Sequence, residues 1–585
     1  MENKLSQNDS LEKFRHSLAH LLGAAVLKLW PETKLAIGPA IENGFYYDFE
    51  FSQSINNDDL PKIKAEMKNI LKTWNQFEKI EETQESANLH YQDNPYKKDL
   101  IKEIIERGEK ITSYQSGDFV DLCRGGHINN AQEIDLEAFK LTHVAGAYWR
   151  GDEKNTMLTR IYGLAFENKL ALDAYIAQQE EAKKRDHRKL GKELRLFEFS
   201  EAVGPGLPMF FPKGTILRRL IETYITDLQE ENGYEPIWIP HITKGELYKI
   251  SGHLDKYDSM YPPMKLENES DYYLKPMNCP HFMILYKTEP HSYKELPIRW
   301  TCTTTNYRYE KSGELTGLSR VRALTQDDCH VFTRPDQIKQ EIEIMLNMIE
   351  QVYSDFGFKN FWVRISTHDP KDTEKYIGDQ KIWEDSETIL EELIKARGWK
   401  HEIGIGEAAF YGPKLDFIFK DAIGRDWQLS TIQLDMNLPE RFDLEYTNDT
   451  GDKERPVVIH RAILGSTERF LSILIEQYAG AFPLWLAPVQ IKILTISEKQ
   501  LSYGQEILST LKKAGFRVEL NNQNETIGKK IREAEMQKIP YLLVIGDKEM
   551  EAKSVAVRKR GTGDQGQQSL EEFIKNAKNE VGIKI

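Results

Sequence analysis

Residues 275–280 read KPMNCP and residues 307–332 read YRYEKSGELTGLSRVRALTQDDCHVF, and this part of the chain decides how the rest is interpreted. It holds a thiol at Cys279 and an imidazole at His330, which are ligands suited to zinc. It also holds arginines, whose planar guanidinium groups bind phosphate oxygens in pairs. One segment with both kinds of group predicts nucleotide-dependent chemistry on a substrate that a metal recognises. The arginines are Arg299, Arg308, Arg320 and Arg322.

Length and composition predict a protein of several domains. At 585 residues the chain is too long for one hydrophobic core, and its 40% hydrophobic and 29% charged residues are typical of globular proteins. The sequence has no apolar run long enough to span a membrane and no apolar signal core, and four cysteines imply no disulfide framework. We therefore expect a cytoplasmic location. The net charge of −14 argues against a general nucleic-acid coat, but it leaves local RNA binding open.

Changes in pattern along the chain predict four segments. The pattern of residues 168–196 predicts one continuous polar helix. The basic residues at 183–195 are interpreted most simply as a helix face exposed to solvent. The glycines and prolines of GPGLPMFFPKG (204–214) mark the start of a new domain, and the last hundred residues follow a βαβαβ rhythm with a parallel sheet. The predicted segments are 1–170, 171–196 (a linker helix), 197–486 and 487–585.

Two arginine pairs predict a phosphate cradle. Arg308 and Glu310 are two residues apart in a β-like run, as are Arg320 and Arg322, so each pair should share one face of a strand. A surface ladder of ion pairs is the alternative. The chain has no Walker loop, because neither of its two Gly-Lys dipeptides precedes Ser or Thr. If ATP binds, arginines rather than a glycine-rich loop hold it.

The motifs together resemble a known family. The run from Arg308 to Glu310 and the sequence GSTER, which ends at Arg469, resemble the second and third signature motifs of class II aminoacyl-tRNA synthetases. GYEPIWIPHI, which contains Pro240, resembles the first motif, which forms a dimer interface in that class. PMNCP, LTQDDCHVF, GEAAFYGPKLDF, STIQLD and IHRAILGSTERF resemble the threonyl-tRNA synthetases in particular. The resemblance implies a multidomain α+β protein with an antiparallel-sheet catalytic core, an α+β editing domain and an α/β anticodon-binding domain.

The resemblance also implies a homodimer that joins threonine to tRNA(Thr) with ATP and Mg²⁺. Cys279, His330 and His460 stand where the family places one zinc ion per subunit. Such a zinc would take the amino group and the hydroxyl of threonine, whereas an apolar pocket discriminates poorly between threonine and valine. Arg308, Glu310, Arg469 and Lys414 would be catalytic, and Arg308, Arg320, Gln428 and Arg469 would hold ATP. Gln326, Asp328, Tyr411 and Gln433 would line the threonine pocket.

Serine keeps the hydroxyl, so its rejection by binding alone should be weak and a proofreading site is expected. His16 and His20 lie four residues apart on a predicted helix, and Cys123 and His127 repeat the spacing, which by itself predicts zinc about as readily as not. The resemblance implies instead an editing site that hydrolyses seryl-tRNA with a positioned water. We favour metal-free hydrolysis. Tyr47 and Asp121 match neighbours of that site.

The last domain resembles an anticodon-binding domain. Asn524, Glu549 and Arg558 would read the anticodon bases, and Lys529, Lys530 and Arg532 would meet backbone phosphates or form a solvated helix face.

The chain departs from the family pattern in several places. The resemblance places the editing domain at the start of this sequence, and we expect the ubiquitin-like domain that many members carry ahead of it to be missing. Ala323 replaces a usual glycine, Phe282 replaces a usual histidine and RGGH replaces RGPH in the editing motif. A sister enzyme such as a prolyl-tRNA synthetase, or a non-catalytic RNA-binding paralogue, is the alternative. The first lacks the Cys279, His330 and His460 set, and the second typically loses the catalytic arginines.

Overall fold

The structure is a computed structural model that describes residues 2–267, 269–372, 375–376 and 380–582. The chain forms two compact units, Met1–Glu180 and Glu181–Ile585. In the described residues no helix is long and apolar enough to cross a membrane.

The first unit packs its opening helix against an antiparallel sheet. Leu18, Leu21 and Leu22 of that helix are fully buried in the core, as their helical spacing predicts. The sheet has the order β1-β3-β8-β7 with β2 beside β3, and a second sheet has the order β4-β5-β6. The elements are α1 (Glu2–Leu29), β1 (Lys34–Leu35), β2 (Ala40–Ile41), β3 (Gly44–Glu50), α2 (Leu60–Leu71), β4 (Glu78–Glu82), α3 (Gln84–His90), α4 (Pro95–Glu106), β5 (Ile111–Ser116), β6 (Phe119–Leu122), β7 (Phe139–Tyr148) and β8 (Met157–Ala165).

The predicted continuous linker helix is wrong. Residues 168–196 form two helices, α5 (Lys169–Arg185) and α6 (His187–Glu193), which meet at Asp186. The Asp186 carboxylate accepts the Arg188 backbone N–H, 2.8 Å away, and so caps the second helix. The Asp186 side chain thus binds a backbone N–H that a continuous helix would use for its own hydrogen bond. This competition is the physical reason why the helix breaks at Asp186.

The catalytic part of the second unit is built on an eight-stranded sheet with the order β11-β15-β16-β23-β20-β19-β17-β18. The pairs are antiparallel except at the two edges. Together with the short strands of three smaller sheets, the strands of this part of the chain are β9 (Phe197–Glu198), β10 (Met209–Phe210), β11 (Glu235–Pro236), β12 (Ile242–Lys244), β13 (Tyr272–Leu274), β14 (His291–Ser292), β15 (Ile298–Tyr307), β16 (Ala323–Thr333), β17 (Phe361–Thr367), β18 (His401–Ile405), β19 (Lys414–Lys420), β20 (Asp426–Asp435), β21 (Tyr446–Thr447), β22 (Lys453–Glu454) and β23 (Val457–Ala462).

Helices cover this sheet. The buried residues of the helices that pack on it join those of its strands in one large hydrophobic core. The helices are α7 (Pro212–Glu231), α8 (Gly245–Ser251), α9 (His253–Lys256), α10 (Cys279–Lys287), α11 (Ile338–Asp355), α12 (Gln380–Ala396), α13 (Asn437–Arg441) and α14 (Thr467–Gln477).

The last part of the chain is an α/β domain, as the βαβαβ rhythm predicts. Its sheet has the order β25-β24-β26-β27-β28, in which the first three strands are parallel and the last two add an antiparallel extension. Its elements are β24 (Ile491–Thr495), α15 (Leu501–Lys513), β25 (Val518–Asn521), α16 (Ile527–Met536), β26 (Tyr541–Ile545), α17 (Asp547–Glu551), β27 (Ser554–Lys559), β28 (Gly563–Ser569) and α18 (Leu570–Gly582).

A buried ion pair lies beneath the middle of the catalytic sheet. Asp327 and Arg461 are both almost fully buried, and their charged atoms are 3.4 Å apart. The Asp327 carboxylate also accepts the backbone N–H groups of Ile463 and Leu464, at 2.8 and 2.9 Å. The pair therefore joins β16 to the turn that follows β23.

We expect Asp327→Ala to lower the free energy of unfolding by ~3–5 kcal/mol, because it leaves the Arg461 charge buried and unpaired. Denaturant unfolding followed by tryptophan fluorescence measures this loss. Asp336→Ala is the control, since its carboxylate is exposed and pairs with Arg334 at the surface, where a loss of ~0–1 kcal/mol is expected. Equal effects of the two substitutions would contradict the importance of the buried pair.

Candidate catalytic and metal sites

One row of directly opposed residues crosses the catalytic sheet and carries much of the candidate site. His330 on β16 is opposite His460 on β23, which is opposite Gln433 on β20, which is opposite Lys414 on β19. Opposed residues in antiparallel strands point to the same face of a sheet. Four candidate residues from four strands therefore share one face and one level.

Cys279, His330 and His460 come together as the sequence predicts. Cys279 is the first residue of α10, and the three potential ligand atoms all lie within 4.8 Å of one another. His460 Nε2 is 2.8 Å from Asp435 Oδ2, a contact that orients the imidazole. Burial raises the pKa of the Cys279 thiol, and the neighbouring His460 opposes that rise.

His330 is fully buried, and neither of its ring nitrogens has a hydrogen-bond partner among the described residues. Burial holds the pKa of this imidazole well below its ordinary value, so the ring is neutral. A buried, neutral and unpartnered imidazole is costly unless something binds it. One thiol and two imidazoles are also a donor set that zinc prefers, so these residues fit a zinc ion.

A buried lysine that the sequence analysis did not single out supports Asp328. Lys275 is fully buried, and its Nζ donates to Asn278 Oδ1 and to Thr304 Oγ1, at 3.0 and 2.9 Å. Asn278 Nδ2 in turn donates to Asp328 Oδ2 at 2.8 Å. Burial lowers the pKa of Lys275 to about 8. Its position in KPMNCP, four residues before Cys279, was the only signal in the sequence.

The arginines form a cluster that differs from the predicted one. Arg469 Nε donates to the Ser319 carbonyl at 3.0 Å, beside Arg320 in the chain. Burial lowers the pKa of Arg469, and the charges of Arg308 and Arg320 lower it further, whereas Glu310 opposes this. Arg320 pairs with Glu310 at 2.7 Å. Arg322 instead donates to the Glu310 backbone carbonyl, so it does not join Arg320 in a cradle.

The predicted strand around Arg308 is also wrong. β15 ends at Tyr307, and both Arg308 and Glu310 follow it in irregular backbone. Arg308 is held there because its backbone N–H donates to the Arg322 carbonyl at 2.9 Å. The sequence pattern predicts that Arg308 and Glu310 share one face of a strand. In the structure a backbone hydrogen bond across the loop, from Arg308 to Arg322, positions Arg308 instead.

The remaining candidate residues of the catalytic sheet are held by hydrogen bonds. Tyr411 donates its hydroxyl to Gln433 Oε1, and Gln326 Oε1 accepts from Asn306 Nδ2 at 2.7 Å. Lys414 Nζ is 2.6 Å from Asp416 Oδ2, and Gln428 Nε2 donates to Asp416 Oδ1 at 2.7 Å. Asp416 is a second residue that the sequence analysis missed.

The first unit contains a second cysteine–histidine cluster. The potential ligand atoms of His16, His20, Cys123 and His127 lie within 4.8 Å of one another, as the repeated spacing predicts. Burial lowers the pKa of each of the three imidazoles, that of His127 to about 2, so all three are neutral. Burial also raises the pKa of Cys123 to about 12, which keeps its sulfur a thiol in the absence of a metal.

Ser17 sets the orientation of one imidazole in this cluster. Its hydroxyl donates to the Lys13 carbonyl at 2.9 Å, so its oxygen is left to accept from His127 Nδ1, 3.3 Å away. The proton of His127 is thereby placed on Nδ1. The lone pair of Nε2 then faces the Cys123 sulfur at 3.3 Å.

Tyr47 and Asp121 lie beside the cluster with a buried lysine between them. Lys97 Nζ is 2.5 Å from Asp121 Oδ1 and 3.3 Å from the Tyr47 hydroxyl, which itself donates to the Asp121 carboxylate. All three side chains are almost fully buried. The sequence pattern does not single out Lys97, because a lysine on an amphipathic helix is typical of a surface charge.

The candidate anticodon residues are less closely grouped. Asn524 is exposed in the loop between β25 and α16, whereas Glu549 lies in α17 after the end of β26 and accepts the Gly546 N–H at 2.8 Å. Arg558 on β27 is opposite Leu542, near the beginning of β26. Arg558 therefore lies beside the beginning of β26, whereas Glu549 follows the end of β26, so the two residues lie toward opposite ends of this strand.

The prediction that Lys530 meets phosphates is wrong. Its side chain is almost fully buried, and its Nζ donates to the Thr495 carbonyl at 2.8 Å. A lysine bound to the protein's own backbone is not available to RNA.

A family model of class II aminoacyl-tRNA synthetases matches the part of the chain that holds the antiparallel sheet and its arginine cluster. The family model of the tRNA synthetase class II core domain (G, H, P, S and T) matches residues 263–478. The anticodon binding domain model matches residues 488–580, and the threonyl and alanyl tRNA synthetase second additional domain matches residues 111–162.

Similar proteins narrow this class. The threonine–tRNA ligase of Geobacillus kaustophilus is 50% identical over 97% of this chain and 87% of its own length. That of Staphylococcus carnosus is 48% identical over 99% of this chain and 89% of its own length. A solved threonyl-tRNA synthetase structure from Cryptosporidium parvum has a TM-score of 0.64 and 36% identity, and the match covers 68% of this chain and 98% of that one. The chain belongs to the threonine–tRNA ligase family, which decides against the prolyl alternative.

The arginine cluster should bind a polyphosphate, because a bound anion offsets the repulsion of Arg469 by Arg308 and Arg320, which Glu310 compensates only in part. We expect inorganic tripolyphosphate to raise the melting temperature of the protein by a few degrees. Arg308→Ala should remove most of that rise, whereas Arg322→Ala should keep it, since Arg322 lies over the Tyr309 ring outside the cluster. A thermal-shift titration of the three proteins measures this, and equal shifts in all three would contradict the assignment.

Proposed function

We propose that this protein attaches L-threonine to tRNA(Thr) in two steps, through a threonyl-adenylate. The observation that carries the proposal is that the thiol–imidazole group and the arginine cluster are built around the same sheet. In the first step a threonine carboxylate oxygen attacks the α-phosphorus of ATP and pyrophosphate leaves. In the second, the 3′-terminal hydroxyl of the tRNA attacks the adenylate carbonyl and AMP leaves.

Arg308 and Arg469 are proposed to bind the α- and γ-phosphates of ATP, with Arg320 and Glu310 in support. Their charges offset the negative charge that develops as pyrophosphate departs, together with the Mg²⁺ that accompanies ATP. Lys414, in the same row as His460 and Gln433, is proposed to stabilise the same charge. Most of the rate gain then comes from positioning and from electrostatics prepared before the reaction.

Cys279, His330 and His460 are proposed to hold one zinc ion per subunit. When bound, zinc supplies an electrophilic centre for the amino group and hydroxyl of threonine. Asp328, held by Asn278, takes part in binding the amino group, and Tyr411 and Gln433 line the pocket. Because valine has no hydroxyl, it leaves these polar groups unpaired, and that penalty rejects it.

The first unit is proposed to hydrolyse seryl-tRNA(Thr). Serine offers the same amino and hydroxyl groups as threonine, so the synthetic site rejects it weakly. The imidazoles of His16, His20 and His127 are neutral, so a ring nitrogen of this cluster can accept a hydrogen bond from a water and position it for attack. We propose metal-free hydrolysis, in which the buried Lys97, Asp121 and Tyr47 group holds the shape of the site beside the cluster.

A homodimer through the segment around Pro240 is proposed as well. Trp238 is 79% exposed and Ile242 is 49% exposed, and both flank this proline. β11 lies at the edge of the large sheet, so an adjacent apolar surface there suits a second copy of the chain.

Asn524, Glu549 and Arg558 are proposed to read anticodon bases, and the proposed domain boundaries remain those predicted from the sequence.

We expect Cys279→Ala to lose its zinc and, with it, threonine activation, since one of three protein ligands is removed. Zinc per subunit, measured by mass spectrometry of the metal, should fall from one to below about 0.2. Cys302→Ala is the matched control, because Cys302 is buried nearby and joins no such group, so it should keep one zinc. Cys123→Ala should also keep one zinc. A wild-type content of two per subunit would overturn metal-free editing.

Lys97→Met should slow the hydrolysis of seryl-tRNA(Thr) by about 100-fold and leave threonine activation unchanged, because the buried Asp121 carboxylate loses its counter-charge. A deacylation assay and threonine-dependent pyrophosphate exchange measure the two effects. Lys98→Met, at an exposed neighbouring position on α4, is the control and should edit normally. Normal editing by Lys97→Met would refute the role of this group.

A further inference from the structure

One fully buried carboxylate accepts hydrogen bonds from residues on three strands of the catalytic sheet. Asp416 Oδ2 is 2.6 Å from Lys414 Nζ and accepts from Ser366 Oγ at 3.0 Å. Asp416 Oδ1 accepts from Gln428 Nε2 at 2.7 Å and from Thr431 Oγ1 at 3.2 Å. Two of the four donors, Lys414 and Gln428, are residues proposed to act on ATP.

A β-bulge makes this convergence possible. Gln428 and Thr431 are three residues apart on β20, and in a regular strand residues at odd spacing point to opposite faces. The register shifts between the pairs Asp416–Thr431 and Ile418–Gln428, so that β20 has one more residue than β19 across this interval. The extra residue turns Gln428 to the same face as Thr431. Both side chains then reach one oxygen of Asp416.

A chain of hydrogen bonds extends from Asp416 to the threonine pocket. Thr431 Oγ1, whose proton goes to Asp416, accepts from Gln433 Nε2 at 3.2 Å. Gln433 Oε1 accepts the hydroxyl proton of Tyr411. All these hydrogen bonds run in one direction, from the Tyr411 hydroxyl to Asp416, because an ionised carboxylate can only accept and therefore ends the series. This direction requires the Gln433 side chain to turn its Oε1 to Tyr411 and its Nε2 to Thr431.

We propose that Asp416 is the positioning residue that orients the ATP-binding and threonine-binding side chains of this sheet with respect to each other. It acts through Lys414 and Gln428 on one side and through Thr431, Gln433 and Tyr411 on the other, and touches no substrate. The inference rests on the proposed function, because it takes its meaning from the roles of Lys414 and Gln433 in threonyl-adenylate formation.

A double-mutant cycle in the full-length protein tests the ATP side. The kcat of threonine-dependent pyrophosphate exchange is measured for the wild type, Asp416→Asn, Lys414→Met and the double variant. Asparagine keeps the shape but removes the charge and one acceptor. Each single change should lower kcat at least ~30-fold, and the double variant should lie within ~3-fold of the slower single, because one substitution already removes what the other supports.

Asp421→Asn is the matched control for the loss of a buried carboxylate. Asp421 lies in the turn after β19 and accepts from Arg425 Nε and Trp427 Nε1, at 2.8 and 2.9 Å, away from the proposed substrate groups. It should lower the melting temperature and leave kcat within ~3-fold of the wild type. A comparable loss of kcat in Asp421→Asn would show that general destabilisation explains Asp416→Asn, and would overturn the inference.

Thr431→Val tests the threonine side while it keeps the Asp416 carboxylate and its other three donors, and serves if Asp416→Asn does not fold. It keeps the volume and removes only the hydroxyl between Asp416 and Gln433. The KM for threonine should rise ~5–10-fold while the KM for ATP stays within ~2-fold. An unchanged KM for threonine would overturn this half of the inference.

The outcomes separate the inference from the function on which it rests. Absence of threonine-dependent exchange in the wild type would refute the proposed function. Exchange in the wild type, with single effects that multiply in the double variant or with Asp416→Asn within ~3-fold of the wild type, would refute the positioning role alone. Wild-type kcat in Lys414→Met would refute it too, because Asp416 would then have no catalytic lysine to position.

Discussion

The register of the central antiparallel strands is the constraint on which the rest of the catalytic structure depends. His330 is opposite His460, and His460 is opposite Gln433, so a shift of one residue in either pairing would turn the shifted side chains to the other face of the sheet. Beneath this row the ion pair of Asp327 with Arg461 holds β16 to the turn after β23. The stability of the sheet and the geometry of the candidate metal site are therefore set by the same strand pairing.

Much of the fold and of the candidate site could be predicted from the sequence, because many motifs keep their residues close together. The C-terminal βαβαβ pattern, the strands around Gln433 and His460, and the cluster of His16, His20, Cys123 and His127 are examples. The joining of Cys279, His330 and His460 is different. They are scattered along the chain, and only a family resemblance, not their spacing, predicted that they meet.

What could not be predicted depends on tertiary contacts. Lys97 and Lys275 read as ordinary lysines, and only the fold buries them beside Asp121 and Asn278. The bulge that brings Gln428 to Asp416 leaves no mark in the local pattern. The pairing of Arg320 with Glu310 and the break at Asp186 were also missed, because hydrogen bonds across a loop and at a cap prevail over strand and helix propensity.

We propose that the synthetic site demands a hydroxyl, through the residues around Cys279, and leaves serine to the cluster around His16. Pyrophosphate exchange into ATP, measured with threonine, serine and valine on protein of known zinc content, tests it most directly. We expect rapid exchange with threonine, slower but measurable exchange with serine, and none above background with valine, in proportion to the zinc bound. Exchange with valine at the level of serine, or full discrimination by zinc-free protein, would contradict it.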